Sequence, residues 1–181
     1  MTAALTTRSG IEIRIRPVTS DDRSQLVDFF RDVSREDLRF RFLTSLREVD
    51  PVRIDTLCKA EPPALITFLA FSGEQLAAIA TLAGEPDLTK AEVALATRTG
   101  WKSRGISWTL LEHVVGYARA QGYRELLSVE KTENGAAIQL ERDMGFSISL
   151  ADDDAGEVIA SRPIVGARSA GPAEPATRSD R

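Results

Sequence analysis

Apolar and charged residues alternate strictly in IEIRIRP (11–17), the period-two mark of a half-buried strand that Pro17 ends. Thr19 or Ser20, followed by Asp21 and Asp22, then signals a helix start, with acids where the helix dipole favours them. Leu26, Val27, Phe29 and Phe30 supply the apolar face of that helix. A second helix is predicted from Ser34, with Leu38, Phe42 and Leu46 repeating every four residues, and a third short one after Asp50 and Pro51. Beyond the break at Pro62 and Pro63, ALITFLAF (64–71) and QLAAIATLAG (75–84) read as a strand and its return across a turn at Ser72 and Gly73. KAEVALAT (90–97) predicts a further strand. Ile106, Leu110, Leu111, Val114 and Ala118 then share one face of a helix that runs to about Gln121 and stops at Gly122. RELLSVE (124–130) predicts a strand, residues 134–143 a helix, GFSISL (145–150) a strand and GEVIAS (156–161) a last strand.

That order of elements describes one mixed α/β domain over residues 11–165. The first ten residues read as a flexible lead-in, and the tail GARSAGPAEPATRSDR (166–181) buries too little to fold and is expected to be disordered. With 181 residues, 43% of them apolar, the chain can bury a real core. Its 23 basic and 27 acidic side chains leave a net charge of −4, so neither nucleic acid nor an anionic membrane is an expected partner. A single cysteine, Cys58, and a single histidine, His113, exclude an internal disulfide, a Cys-based zinc site and a multi-His metal site. Cys58 reads as a small apolar filler and His113 as a boundary residue. The start MTAALTTRSG has no signal-peptide pattern and no apolar run reaches membrane-spanning length, so a cytoplasmic location is expected.

The stretch WKSRGISWTLLEHV (101–114) sets Lys102, two small residues and Arg104 around the start of the amphipathic helix. Unpaired N–H groups and the dipole make a helix start an anion seat, and Gly105 removes a side chain where a phosphate could approach. The same residues also suit an ordinary strand-to-helix turn. No GxxxxGK[ST] loop and no GxGxxG are present, so nothing local decides between the two.

The run from Lys90 to Phe146 resembles the core of the GNAT superfamily of N-acetyltransferases. That family carries Q/R-x-x-G-x-G/A ahead of a helix, where backbone amides hold the pyrophosphate of acetyl-CoA; Lys102, Ser103, Arg104, Gly105, Ile106 and Ser107 occupy the motif here. A later family pattern, N-x-x-A-x-x-L with a downstream G-F, is matched by Asn134, Ala137, Leu140, Gly145 and Phe146. IRIRPVTSDD is similar to the family's first strand and helix, which extends the resemblance over roughly residues 11–161. Within the family, SREDLRFRF (34–42) and the AE-hydrophobic strand are most similar to the Pat-like protein lysine acetyltransferases. Three positions depart from the pattern: Lys102 replaces Gln or Arg, Ser107 replaces Gly or Ala, and Glu141 stands where many members place a Tyr that protonates the leaving thiolate.

The resemblance implies a mostly antiparallel sheet with one splayed parallel pair of strands, flanked by helices. It also implies acetyl-CoA as co-substrate, a primary amine as acceptor (a protein lysine above all), and Glu92 as general base. Pantetheine amides would pair with the strand at Leu95, Ala96 and Thr97. The residues agree with such a chemistry. An amine of pKa about 10.4 must lose a proton to attack a thioester. Period two turns Glu92, Ala94 and Ala96 to one face of their strand, so the carboxylate projects over small neighbours. From Thr97 back to Glu92 is about 16 Å at ~3.3 Å per residue, the reach from a pyrophosphate to a thioester. Asp87, in the preceding loop, is the reserve base. The arginines of residues 35–47 suit a lid on the acceptor side. The alternative is an acyl-CoA-binding sensor or interaction module of the same fold without turnover.

Overall fold

The computed structural model describes residues 2–151 and 156–164. Eight strands form one sheet in the order β1-β2-β3-β4-β5-β6-β8-β7. They are β1 (Ala3–Thr6), β2 (Glu12–Pro17), β3 (Leu65–Ser72), β4 (Gln75–Gly84), β5 (Lys90–Thr97), β6 (Glu125–Lys131), β7 (Ser147–Leu150) and β8 (Glu157–Pro163). Every neighbouring pair is antiparallel except β5 and β6. Helices α1 (Arg23–Arg31), α2 (Arg35–Phe42) and α3 (Pro51–Cys58) lie between β2 and β3, α4 (Ile106–Gln121) joins β5 to β6, and α5 (Gly135–Asp143) joins β6 to β7.

These elements follow the hydrophobic pattern closely, with two differences. The reading of residues 1–10 as a loose lead-in fails for Ala3–Thr6, which pair with β2 from Ala3↔Ile15 to Thr6↔Glu12. Four residues carry no usable alternation, and only the free edge of β2 makes them a strand. Second, α2 stops at Phe42 because Leu43 takes a left-handed conformation (φ 53°), which leaves Leu46 outside the helix. Residues 152–155 and the stretch 166–181, read above as a tail, lie outside the described residues.

The strands bury both faces. Leu110, Val114 and Ala118 of α4 pack with Phe68, Ala80, Leu82 and Val93 on one side. Phe29, Leu38 and Ile54 of α1–α3 pack with Leu69, Ile79 and Ala96 on the other. One contact fixes the end of the sheet near β4: the Tyr123 hydroxyl donates to the Pro63 carbonyl at 3.1 Å and presses on Gly84, where a Cβ would sit 1.8 Å from it. Any side chain at Gly84 would displace the tyrosine.

The parallel pair positions everything that follows. β5 and β6 are in register only from Lys90↔Glu125 to Glu92↔Leu127. Past that rung β5 stays paired with β4 as far as Thr97, and β6 stays paired with β8 as far as Lys131. The two strands therefore part, and the edge of β5 from Val93 to Thr97 faces a gap instead of a neighbour. Backbone groups on such an edge need partners, and an extended ligand can supply them.

Candidate active site

The gap opens into a cavity of about 810 Å³. Ala94, Leu95, Ala96 and Thr97 of β5 line one wall, and Val129 and Glu130 of β6 the opposite one. Lys102, Ser103, Gly105 and Ser107 close the end nearest α4, and Asn134, Leu140 and Glu141 come from the α5 side. Glu92 projects into the cavity at the last paired rung and remains exposed.

At the α4 end the chain turns through two left-handed residues, Ser103 (φ 58°) and Gly105 (φ 77°). The first bond of the helix runs from the Thr109 N–H to the Gly105 carbonyl at 3.1 Å. The N–H groups of Ile106, Ser107 and Trp108 thus have no helical acceptor, as at any helix start. Gly105 meets its φ without strain. A loop that sequence reasoning treated as loose also reaches here: Ser9 Oγ donates to the Arg104 carbonyl at 2.6 Å, and the Arg8 guanidinium stacks 3.5 Å from the Trp108 ring centre. Arg8 lines the cavity, so the helix start carries a cation from β1's loop that no motif signalled.

Not every expected residue faces the cavity. The Ile106 side chain is 1% exposed and belongs to the α4 core, so only its backbone N–H is on offer. Arg104 lies over Trp101 and lines a separate hollow with Asp32 and Arg98. Ser107 is drawn towards the strand, its hydroxyl 2.9 Å from that of Thr97. The Asn134 amide donates to Glu130 Oε2 at 2.6 Å. Asp87 is turned into its own loop, accepting from the Thr89 N–H and hydroxyl at 2.9 and 2.7 Å; these bonds, the N–H first, hold its carboxyl below the usual range. It is not among the cavity-lining residues and cannot serve as a reserve base there. His113 packs edge-on against Phe68, and burial lowers its pKa; burial raises that of Cys58.

Helix α2 roofs the cavity and is tied down at three alternate positions. Asp37 pairs with Lys102 at 2.5 Å, Arg39 pairs with Glu133 ahead of α5, and Arg41 Nη2 donates to Thr81 Oγ1 of β4 at 2.8 Å. The Arg41 guanidinium is buried, which pushes its pKa down to about 10 against the opposing attraction of Glu92 and Glu130. Two carboxyls share its surroundings: Glu130, to which the sequence gave no role, and Glu141, which the sequence marked only as a departure from the family's Tyr. Burial raises the pKa of Glu130, while the hydrogen bonds from Asn134 and Ser128, and then Arg41, oppose the rise. Glu141 is 2% exposed, its Oε2 has no partner among the described residues, and its pKa is held up at about 7. Burial is the main cause there and the charge of Glu130 the second. The available signal for Glu130 was period two, which puts it on the strand face of Leu126 and Ser128.

Comparison with known proteins agrees with this architecture. Residues 27–146 match the acetyltransferase (GNAT) family. An acetyltransferase of Pseudomonas aeruginosa is 27% identical over 154 residues, covering 83% of each chain. The GNAT domain of a Streptomyces protein (S. lividans PAT) superposes with a TM-score of 0.84 at 24% identity, over 90% of this chain and 96% of that one. Salmonella typhimurium yncA, solved with its cofactor acetyl-CoA, superposes with a TM-score of 0.68 at 14% identity, over 88% and 97%. The family match takes in both walls of the gap, the α4 helix start and α5, and by it the chain belongs to the acetyltransferase (GNAT) family.

Proposed function

We propose that this chain transfers the acetyl group of acetyl-CoA to a primary amine, with a lysine side chain of a protein as the acceptor. One observation carries the reading: the gap between β5 and β6 has a helix start with spare N–H groups at one end and Glu92 at the other. Between them runs a strand edge about 16 Å long at ~3.3 Å per residue. The N–H groups of Gly105, Ile106 and Ser107 are suited to hold the pyrophosphate, with Lys102, Ser103 and Arg8 beside them. Arg104 adds charge to the field without reaching the cavity. The backbone of Leu95, Ala96 and Thr97 can pair with the pantetheine amides, and Ser107, held back by Thr97, leaves that path open. Asn134 acts through Glu130, which it orients.

Glu92 is then the base that takes the proton of the attacking amine, and a strand N–H polarises the thioester carbonyl. The acceptor's chemistry follows from charge. Glu92, Glu130 and Asp143 line the cavity together with Arg8, Arg41 and Lys102, so an ammonium group that enters has carboxylates to meet at the Glu92 end. The fold shared with the S. lividans PAT domain is consistent with a Pat-like placement, and the choice of a protein acceptor rests on the resemblance of residues 34–42 and of the strand that carries Glu92. A cytoplasmic location belongs to the same reading; among the described residues no helix is long and apolar enough to cross a membrane.

The test is free thiol released from acetyl-CoA by the purified protein, with and without a lysine-containing peptide. Release that depends on the amine, with one acetyl group gained per thiol, is expected. Binding of acetyl-CoA without release by any amine would instead establish the sensor or interaction module.

A further inference from the structure

Among the described residues, the cations that line the cavity are Arg8, Arg41 and Lys102. Two of them belong to the phosphate end, where Arg8 lies over Trp108 and Lys102 is held by Asp37. Arg41 is placed at the other end. Its Nη2 donates to Thr81 Oγ1 at 2.8 Å, and Thr81 is the register partner of Ala94, which follows Glu92 by two positions towards the free edge of β5. Period two gives Glu92, Ala94 and Ala96 one face of the strand. Ala96 packs with the core of α1–α3, so this face looks towards the α2 roof. Ala94 has no bulk to fill the space between Arg41 and the strand edge.

A guanidinium carries five N–H donors in a planar fork. Among the described residues Arg41 donates only to Thr81, its Nε is buried without a partner, and no carboxylate forms an ion pair with it. Glu92 and Glu130 attract it from longer range, one from each wall of the gap. A buried cation left in that state is costly to the fold. It is also held still. Thr81 Oγ1 lies 3.2 Å from Oγ1 of the buried Thr67, and the Phe42 ring centre stands 5.1 Å from the guanidinium carbon. A cation fixed in advance, with donors to spare, suits a negative charge that arises in the cavity during reaction.

We propose that Arg41 stabilises the negative oxygen of the tetrahedral adduct, as a catalytic side chain on the α2 side of the thioester. The inference rests on the acetyl-transfer reading above. The amine nitrogen bonds to the thioester carbon, the carbonyl π pair moves onto oxygen, and Glu92 takes a proton from nitrogen. Oxygen then returns its pair and the C–S bond breaks with its pair on sulfur. Sulfur takes a proton from water as Glu92 gives its own back to water, and the sum is amide plus free thiol. A negative oxygen formed in a cavity lined by Glu130 and Asp143 is disfavoured by their charges, and Arg41 is the cation at this end that offsets them. A strand N–H polarises the carbonyl but brings no net charge.

Two stable thioethers test the placement without turnover. S-carboxymethyl-CoA sets a carboxylate at the acyl position, and S-carbamoylmethyl-CoA sets a neutral amide of the same shape. By calorimetry, Arg41→Gln should bind the amide as the parent does and the carboxylate roughly 10–100-fold more weakly, the worth of a hydrogen bond between charged groups. Arg41→Lys should keep most of the parent's preference. The same ratio of affinities in Arg41→Gln and the parent overturns the proposal and leaves Arg41 an anchor of α2. In turnover with a lysine peptide, Arg41→Gln should lose about 10²–10³-fold in kcat with KM for acetyl-CoA unchanged. Arg41→Ala should regain part of its loss in millimolar guanidinium chloride, saturably and with no change in melting temperature. Full kcat in Arg41→Gln removes this step alone and leaves acetyl transfer standing. A parent that releases no thiol with any amine removes the acetyl-transfer reading, and this step with it.

Discussion

Glu92→Gln is expected to release thiol from acetyl-CoA 10²–10⁴-fold more slowly with a lysine peptide, while CoA affinity stays nearly unchanged. Glutamine keeps the size and hydrogen-bonding reach of Glu92 but cannot accept a proton, and a positioned base is worth about that factor. Affinity is spared because the carboxylate lies at the paired end of the gap, a pantetheine length from the α4 helix start. At pH 7 an amine of pKa about 10.4 is neutral in roughly one molecule in 2,500, which is the deficit the base makes up. The loss should shrink as pH rises and solution supplies the neutral amine. Equal activity at neutral pH would contradict the assignment. Asp87 could not then take over, being held in its loop by Thr89; Glu130, inside the cavity, would be the remaining candidate.

Gly105→Asp is expected to weaken CoA binding about 100-fold more than Gly105→Asn does. Both residues tolerate a left-handed conformation better than other side chains, so the φ of 77° costs each about the same, on the order of 1 kcal/mol. A Cβ here would lie 3.4 Å from the Thr7 Cβ and 3.6 Å from the Arg8 N, contacts the hairpin loop can absorb. Only Asp adds a negative charge beside the helix start. Two like charges about 5 Å apart repel by about 3 kcal/mol at an effective dielectric of ~20. The difference between the two variants is thus electrostatic and should narrow as salt is raised. Calorimetry decides it. Equal affinities for Asp and Asn would remove the phosphate seat from Gly105.

The elements were legible because each has a face to bury. The alternation of β2, the apolar runs of β3 and β4, and the stripe of α4 all report a core that the folded chain contains. The cap residues were equally plain: Ser34 and Asp50 accept from the third residue of their helices, and Gly122 closes α4 at φ 93°. Elements that depend on distant partners were not legible. β1 exists only because β2 offers an edge, and Leu43 ends α2 in a conformation no local residue announces. The site divides in the same way. Gly105 and Glu92 follow from local turn chemistry, strand phase and family resemblance. Arg8, Arg41, Glu130 and Glu141 acquire their surroundings only when α2, α5 and the β1–β2 loop close around the gap. Burial is a property of the folded molecule, so the raised pKa of Glu141 could not be read from a helix position alone.

The structure of the protein with CoA bound tests the central claim most directly. Phosphates are expected against the N–H groups of Gly105, Ile106 and Ser107, pantetheine along the free edge of β5 from Thr97 towards Val93, and the sulfur in the gap beside Glu92. Phosphates seated elsewhere, for instance in the hollow beside Asp32 and Arg98, or a sulfur outside the gap between β5 and β6, would contradict it.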